Sequence, residues 1–321
     1  MGLHVIAGAG AIGTATARQL AASGERVRII TRSGGGPEHP LVERVAADVT
    51  DTAAVAALLD GARTLYNAAA PAYQHWRTAF PPLAASLLAA AEKAGTDLVI
   101  LGNVYGYGYG YGHGSGRGDA QGRGGAAALT PDLPLRPVSD KGRVRAAMWQ
   151  EALAAHGAGR VRAAEVRASD FLGATAVGLL PLMVVPAVLA GEEVAAPIAL
   201  DAPHAWSYVE DVARTLIAVA ARDDTWGRAW HVPSTSELSA RELMARLADL
   251  AGAPAPRLRT MTPQELAAAV AVDELMAELP EMAYLYDRPL RLDASDTERL
   301  LGVRATAPDT VLRELLPAGP R

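Results

Sequence analysis

A glycine-rich turn near the N-terminus lies between an apolar segment and an alanine-rich run. Residues 3–7 read LHVIA, and residues 8–13 read GAGAIG. In this spacing Gly8 permits a tight turn, Gly10 lets the backbone approach a pyrophosphate, and Gly13 lets a helix pack closely on the strand. The free N–H groups and dipole at the start of that helix favour an anion. The residues that we expect to contact a dinucleotide here are Gly8, Gly10, Ala11, Ile12 and Gly13. The alternative is a tight turn that binds nothing.

A second apolar segment ends in Thr31-Arg32-Ser33. Sites that prefer NAD carry an acidic residue at this position, which accepts hydrogen bonds from a ribose hydroxyl. Positions 28 to 37 contain no Asp or Glu. Arg32 stands where a guanidinium could pair with a 2′-phosphate, assisted by Arg28 or Ser33. We therefore expect NADP, with NAD as the second choice, unless Arg32 is an ordinary solvated arginine.

Strand and helix patterns alternate through the first half of the chain. The predicted strands are 3–7, 27–31, 43–49, 63–69, 97–102 and 161–167, and the predicted helices are 11–23, 52–60, 80–94 and 139–156. This alternation is typical of an α/β fold, a Rossmann-type doubly wound parallel sheet. We expect a dinucleotide-binding domain over 1–168 and a smaller, mainly helical substrate lobe over 169–321. Within that lobe, residues 203–233 can return to the sheet near Trp230.

Helices are also predicted in the second half, over 207–221, 236–251 and 263–278. A Gly/Tyr-rich loop, 105–127, interrupts the pattern of the first half. Glycines in such number cannot support a buried element, because their conformational entropy is high and they offer no side chains to pack. We expect either a mobile surface loop or a lid whose tyrosines close on a substrate. Those tyrosines are Tyr107, Tyr109 and Tyr111.

The composition excludes several classes of protein. The 321-residue chain has a formal net charge of −5, which argues against a nucleic-acid partner, since such surfaces are basic. It has no cysteine, and its seven histidines show no metal-ligand spacing, so we expect no metal site. The most apolar stretch, 176–190, is interrupted by two prolines and is shorter than the ~20 residues that a membrane span needs. Since no signal-peptide pattern is present, we expect a cytoplasmic protein that does not associate with membranes.

Short segments after the predicted strands complete a recognisable set. They are Ala47-Asp48-Val49, Tyr66-Asn67-Ala68-Ala69, Asn103-Val104-Tyr105-Gly106-Tyr107-Gly108, Arg167-Ala168-Ser169-Asp170-Phe171-Leu172-Gly173 and Tyr208-Val209-Glu210-Asp211-Val212-Ala213. With the glycine turn, they resemble the NAD(P)-dependent epimerase/dehydratase family of the short-chain dehydrogenase/reductase superfamily, extended type. The resemblance implies that Asp48 and Val49 flank the adenine, that Ala68 and Ala69 line the nicotinamide ribose, and that Asp170 lies near the nicotinamide. It also implies a homodimer.

The chain departs from the family at the catalytic residues. Family members carry a Tyr and a Lys four residues apart on the helix after the long loop, and a Ser or Thr after the fifth strand. Here Lys141 stands at the Tyr position, Arg145 at the Lys position and Asn103 at the Ser or Thr position. The chain therefore resembles an atypical member.

The replacement residues suggest a different distribution of roles. Lys141 and Arg145 share one helix face. Arg145 would hold the ribose hydroxyls and, with Arg143, would place positive charge near Lys141. Like charges and burial disfavour an ammonium, which would suit Lys141 to general acid or base catalysis, while Asn103 would polarise a substrate carbonyl. Of the 30 basic residues only Lys93 and Lys141 are lysine, which favours a particular role over a solvated first-turn lysine.

Aromatic residues supply further candidates. Tyr105 and Tyr73 are alternative acids, although an aromatic plug at a strand end has the same appearance. His75 is the histidine that we would test for catalysis. The candidates for a substrate pocket are Tyr73, His75, Trp76, Phe171 and Trp206, with Met282, Tyr284 and Tyr286 as further apolar wall residues.

Three functions are compatible with these observations. The leading hypothesis is an NADP(H)-dependent oxidoreductase that moves a hydride between the cofactor and a carbonyl or imine carbon of a small molecule. The second is a non-catalytic NADP-binding sensor or scaffold, because the usual Tyr and Ser are missing. The third is a nucleotide-sugar epimerase or dehydratase, for which the second half shows no convincing diphosphate-binding cluster.

Overall fold

A computed structural model of the chain describes residues 2–110 and 128–317. Eleven strands are formed by these residues: β1 (Leu3–Ala7), β2 (Arg26–Thr31), β3 (Val42–Ala46), β4 (Ala62–Asn67), β5 (Asp97–Asn103), β6 (Ala163–Ala168), β7 (Asp170–Leu172), β8 (Glu193–Ala196), β9 (Trp206–Tyr208), β10 (Ala229–His231) and β11 (Arg257–Thr260). Seven of them form one parallel sheet in the order β3–β2–β1–β4–β5–β6–β10. The predicted doubly wound fold is confirmed. Ligands of such sheets bind beyond the strand carboxyl ends where the order reverses, which here is between β1 and β4.

Helices cover both faces of the sheet. The α-helices of the described residues are α1 (Ala11–Ala22), α2 (Thr52–Leu58), α3 (Trp76–Ala94), α4 (Asp140–Gly157), α5 (Val185–Leu189), α6 (Val209–Ala220), α7 (Ala240–Ala251), α8 (Pro263–Val272), α9 (Glu274–Ala277), α10 (Ser295–Leu301) and α11 (Pro308–Arg313). Successive strand residues point to opposite faces. In β1, Val5 joins the core beneath α2, α3 and α4, while Ile6 joins the core beneath α1 and α6.

The C-terminal part of the chain builds a second core and then returns to the sheet. Two parallel pairs, β8 with β11 and β7 with β9, lie outside the main sheet. Helices α5, α7 and α11 contribute to the same apolar cluster as β8. Helix α6 packs against α1, and β10 pairs with β6, so these later elements complete the sheet. Among the described residues, no helix is long and apolar enough to cross a bilayer.

The structure corrects several predicted element bounds. Strand β3 ends at Ala46 rather than at position 49, because Asp48 forms a turn with Thr50. Helix α3 begins at Trp76, before the predicted start at position 80. The predicted helix over 263–278 divides at Asp273, whose side chain caps α9. Ser239 caps α7 in a capping box with Glu242, which shortens the predicted helix over 236–251.

Candidate active site

The glycine turn joins β1 to α1 with each glycine in a different environment. Gly8 has a φ of +99°, and a Cβ there would lie 2.8 Å from the Ala68 oxygen and from Ala69. A Cβ on Gly13 would lie 2.1 Å from the Gly8 carbonyl oxygen. Gly10 is exposed, and a Cβ there would meet nothing within 4 Å. Internal packing therefore requires glycine at 8 and 13 but not at 10, where space is left open.

The same open side presents the start of α1. Gly10 is the N-cap residue, and it supplies no side-chain cap. The first turn of α1 contains no acidic residue. Since the first N–H groups of a helix have no partner inside it, this end can receive an anion. The turn and the β4 end at Ala68 and Ala69 thus fit the expected position of a dinucleotide.

Arg32 and Asp48 lie near one another beyond the ends of β2 and β3. Asp48 is exposed, and hydrogen bonds from Thr50 together with the nearby Arg32 charge hold its pKa below the usual range. Arg32 is exposed as well. Arg28, which the sequence offered as an assistant, instead pairs with Glu43 at 2.7 Å and donates to the Leu58 carbonyl. That assisting role is therefore wrong, because Arg28 is already engaged on another strand.

Lys141 lies in the first turn of α4 and is 1 % exposed. Its ammonium pairs with Glu278 and, at 2.5 Å, with Glu281, both from the segment that follows α9. The ammonium also lies 4.4 Å from the centre of the Tyr73 ring. The expected cationic surroundings of Lys141 are wrong, since two carboxylates and an aromatic face enclose it. Its expected role in proton transfer stays a prediction.

The two carboxylates connect this buried ammonium to solvent. Glu278 and Glu281 are 26 % and 27 % exposed. Glu281 also accepts a hydrogen bond from the Asp140 N–H at 2.8 Å. It lines an open groove of about 450 Å³ between the start of α4 and residues 280–287. Arg143, also on this groove, pairs with Asp140 rather than adding charge beside Lys141.

Arg145 is held inside the protein, one turn further along α4. Its guanidinium lies 4.6 Å from the Trp76 ring centre and 4.4 Å from that of Phe80. One of its terminal nitrogens donates to the Leu101 carbonyl at 3.0 Å. Burial lowers the pKa of Arg145 to about 10. The residue is therefore packed as a structural cation, and its expected contact with a ribose stays a prediction.

Asn103 is the last residue of β5, Tyr105 follows that strand, and Tyr73 follows β4. The Asn103 side-chain oxygen accepts the Tyr105 backbone N–H at 3.2 Å, which leaves its amide N–H groups as donors. Tyr73 and Tyr105 pack on the same apolar cluster, and burial raises the pKa of both phenols. Both phenols are therefore neutral near pH 7.

Asp170, the first residue of β7, holds two side chains of the C-terminal half. Its Oδ2 accepts from Tyr286 Oη at 2.6 Å and from His204 Nε2 at 2.8 Å. His204 stacks on Tyr286 with ring centres 4.7 Å apart. Burial raises the pKa of Asp170, but the hydrogen bonds and charge of His204 and the Tyr286 hydroxyl outweigh it, so the pKa lies below the usual range. The carboxylate is 28 % exposed.

The remaining aromatic candidates are divided between surface and core. His75 is exposed, and Phe171 is half-buried against the α6 core. Trp76 is buried against Arg145. Trp206 is 1 % exposed and donates to the Leu238 carbonyl, so it is a core residue behind His204. Its expected place on a pocket wall is wrong for that reason.

Tyr107 does not behave as a lid residue. It is 1 % exposed, and its hydroxyl contacts His231 Nε2 at 2.7 Å and Arg167 at 2.6 Å. It therefore anchors the start of the Gly/Tyr-rich loop to β6 and β10. Tyr111 lies outside the described residues, and so does most of the loop.

Sequence reasoning missed His204, Glu278 and Glu281. His204 is separated from Asp170 by 34 residues, and Glu278 from Lys141 by 137. No local spacing signals such pairs. The one available hint was that Asp170 and Lys141 are charged residues at positions that the fold buries.

The chain belongs to the NAD dependent epimerase/dehydratase family, whose model matches residues 4–232. The predicted resemblance is therefore confirmed, and with it the expectation of an enzyme family. No curated protein is significantly similar to the sequence.

Solved structures with the same fold cover nearly the whole chain. The dTDP-glucose 4,6-dehydratase DesIV of Streptomyces venezuelae, with NAD and TYD bound, is 21% identical with a TM-score of 0.73, over 98% of this chain and 95% of that one. The UDP-N-acetylglucosamine 4-epimerase of Bacillus cereus is 13% identical with a TM-score of 0.73, over 98% of each chain. MoeE5, in complex with UDP-glucose and NAD, is 21% identical with a TM-score of 0.71, over 98% and 97%. At these identities the likeness concerns the fold.

Proposed function

We propose that the protein is an NAD(P)-dependent oxidoreductase that moves a hydride between the nicotinamide and a carbonyl or imine carbon of a small organic molecule. The observation that carries this proposal is the glycine turn, where Gly10 is glycine without any packing reason inside the protein. An open approach to an uncapped helix start suits a pyrophosphate. Residues 8–13, Ala68 and Ala69 would hold the cofactor, whose chemistry when bound is hydride exchange at the nicotinamide.

NADP is the proposed cofactor. Arg32 is exposed and lies at the end of β2, where its guanidinium can pair with the 2′-phosphate, with Ser33 beside it. Asp48 and Val49 would flank the adenine. The similar solved structures contain NAD, so the proposed preference is a property of this chain's own Arg32.

Lys141 is the proposed proton donor when the substrate is a carbonyl. Its ammonium would pass a proton to the developing alkoxide, and Glu278 or Glu281 would return one from solvent through the adjoining groove. The Asn103 amide would hydrogen-bond the same oxygen. Arg145 would fix the helix that carries Lys141.

A second candidate is a nucleotide-sugar epimerase or dehydratase. It is favoured by the similar solved structures, which include a complex with UDP-glucose and a dTDP-glucose 4,6-dehydratase. A third candidate, the NADP-binding sensor, is favoured by the enclosure of Lys141 beneath two carboxylates.

The test begins with calorimetric titration of the purified chain with NADPH and NADH. Loss of NADPH absorbance is then followed with a panel of ketones, enones and imines. Oxidation of NADPH by any panel member supports the proposal, and binding without turnover supports the sensor. Conversion of UDP-glucose or dTDP-glucose without net cofactor consumption would support the second candidate. Absence of binding at millimolar cofactor would refute all three.

A further inference from the structure

Among the described residues, the Asp170 carboxylate is partnered by a histidine rather than by a lysine or arginine. Its two hydrogen-bond donors are a phenol and an imidazole, both on Oδ2. No lysine or arginine within residues 2–110 and 128–317 forms an ion pair with it. The carboxylate remains 28 % exposed at the end of β6, on the side of the sheet where ligands bind. A partly buried carboxylate without a lysine or arginine partner is costly, which marks it as a candidate for ligand binding.

The contacts of Asp170 leave one of its oxygens available. His204 is 2 % exposed and meets the carboxylate through Nε2. The Tyr286 hydroxyl donates to the same oxygen, Oδ2. Among the described residues no donor reaches Oδ1, so this oxygen can accept from a ligand.

The two cations expected at this crevice, Lys141 and Arg145, are already engaged. Lys141 is enclosed by Glu278 and Glu281, and the Arg145 guanidinium is stacked between Trp76 and Phe80. Aromatic side chains are abundant instead. Tyr286 donates to Asp170, and Tyr73 and Tyr105 pack with Tyr286 on the same apolar cluster. A carboxylate among aromatic rings is a site that favours organic cations over phosphates.

We propose that Asp170, oriented by His204 and Tyr286, binds a positively charged nitrogen of the substrate, so that the preferred substrates are protonated imines and the amines formed from them. This inference rests on the proposed oxidoreductase function and names its substrate class. It disfavours a nucleotide diphosphate at this position, because two negative groups would be brought together.

A protonated imine as substrate would also explain why the catalytic tyrosine of the family is absent. A protonated imine already carries the proton that a carbonyl must obtain from the enzyme. The imine carbon receives the hydride with its electron pair from the reduced nicotinamide, and the C=N π electrons become the nitrogen lone pair. The product is a neutral amine, which takes a proton from water, and the cofactor is left oxidised. No proton donor of the protein is needed in the step, and the carboxylate stabilises the iminium before it reacts.

The experiment compares a cation with a neutral molecule of the same ring size. Pyrroline and cyclopentanone are offered as substrates with NADPH, and pyrrolidine and cyclopentanol are titrated calorimetrically into the NADPH-saturated protein. We expect pyrroline to be reduced with the higher kcat/KM and pyrrolidine to bind at least about tenfold more tightly than cyclopentanol. If cyclopentanol bound as tightly as pyrrolidine or more tightly, the inference would be overturned. NADPH binding in the same samples would leave the proposed function intact. Failure to bind NADPH would instead remove the proposed function itself.

The variant Asp170→Asn removes the charge and keeps an oxygen to accept from His204 and Tyr286. We expect it to lose about tenfold or more in pyrrolidine affinity and pyrroline kcat/KM, a larger loss than for the neutral cyclopentanone. The matched control Asp201→Asn removes a carboxylate that is 73 % exposed and should behave as the wild type. A weaker affinity of Asp170→Asn for NADP⁺ alone, with pyrrolidine binding intact, would assign the carboxylate to the oxidised nicotinamide and overturn the proposal.

Discussion

The glycine turn and the Asp170 cluster lie at the same edge of the sheet but are built in opposite ways. The turn is a continuous segment, residues 8–13, whose shape depends on missing side chains. The cluster joins Asp170 to His204 and Tyr286, which are 34 and 116 residues away in the chain. The proposed cofactor site is thus a backbone feature common to many sequences, whereas the proposed substrate site consists of side chains particular to this chain. In this proposal the class of cofactor is set by a local sequence motif. The class of substrate is set by side chains that long-range packing brings together.

Substitution within the turn should give the largest effect. The Cβ of Gly13→Ala would lie 2.1 Å from the Gly8 carbonyl oxygen, so we expect α1 to move away from β1 and the free energy of unfolding to fall by about 3 kcal/mol. Thermal unfolding and NADPH calorimetry measure the two consequences.

Gly10→Ala is the control for that variant. Because a Cβ there meets nothing within 4 Å, stability should stay within about 0.5 kcal/mol of the wild type. NADPH affinity should nevertheless fall at least about tenfold, since the methyl group occupies the approach of the pyrophosphate. Unchanged affinity in Gly10→Ala would show that the open space is not a binding site.

Substitution of Lys141 tests how much the long-range ion pairs near the proposed substrate site contribute to stability. Lys141→Met leaves Glu278 and Glu281 facing each other, and we expect a loss of about 2 kcal/mol of stability, less than for a fully buried pair because both carboxylates are partly exposed. Denaturant unfolding measures it. Adding Glu278→Gln and Glu281→Gln should restore much of the loss. If the triple variant is no more stable than Lys141→Met, repulsion between the carboxylates is not the cause.

Lys141→Arg separates charge from proton transfer. A guanidinium keeps the positive charge but does not release its proton. We expect carbonyl reduction to fall at least about tenfold, while reduction of a protonated imine stays near the wild-type rate, as measured by NADPH oxidation. Equal losses on both substrates would indicate that Lys141 acts on binding or structure rather than on the proton.

Substitution of Arg32 tests which nicotinamide cofactor the proposed cofactor site prefers. Arg32→Ala should weaken NADPH binding about tenfold, equivalent to about 1.4 kcal/mol, and leave NADH binding unchanged. Competition titrations with the two cofactors report the ratio directly. An equal loss of affinity for NADPH and NADH would mean that Arg32 does not contact the 2′-phosphate.

The smallest expected effect is on the pH dependence of stability, through His231, which contacts Tyr107. Burial, with the nearby Arg167 charge, lowers the pKa of His231 from 6.5 to about 3. Between these values the unfolded chain binds a proton that the native state does not, so stability is full above pH 6.5 and falls as the pH decreases. We expect a contribution of about 1 kcal/mol to be lost on going from pH 7 to pH 5.5. In parallel denaturant titrations, the stability of His231→Gln should depend less on pH than that of the wild type. If both proteins show the same pH dependence, a group other than His231 is responsible.

The fold was predictable because its signals are local. The glycine turn and the alternation of apolar segments predicted β1, α1 and the parallel sheet, and only bounds such as the start of α3 were displaced. The positions of Lys141 and Arg145 on one helix face were predictable for the same reason. Their surroundings were not, because Glu278 and Glu281 come from a segment with no sequence relation to α4. Trp206 was misplaced because a buried aromatic side chain and a pocket wall look alike in sequence.

The sequence by itself determined the sheet, the glycine turn and the chemistry missing from the catalytic positions, since each depends on residues a few positions apart. Only the tertiary structure decided that Lys141 is enclosed by carboxylates and that Asp170 is partnered by His204 rather than by a described lysine or arginine. The physical reason is range: backbone geometry and hydrophobic periodicity act between near neighbours, whereas the charge balance of a site depends on which distant side chains the packed core brings within a few ångströms.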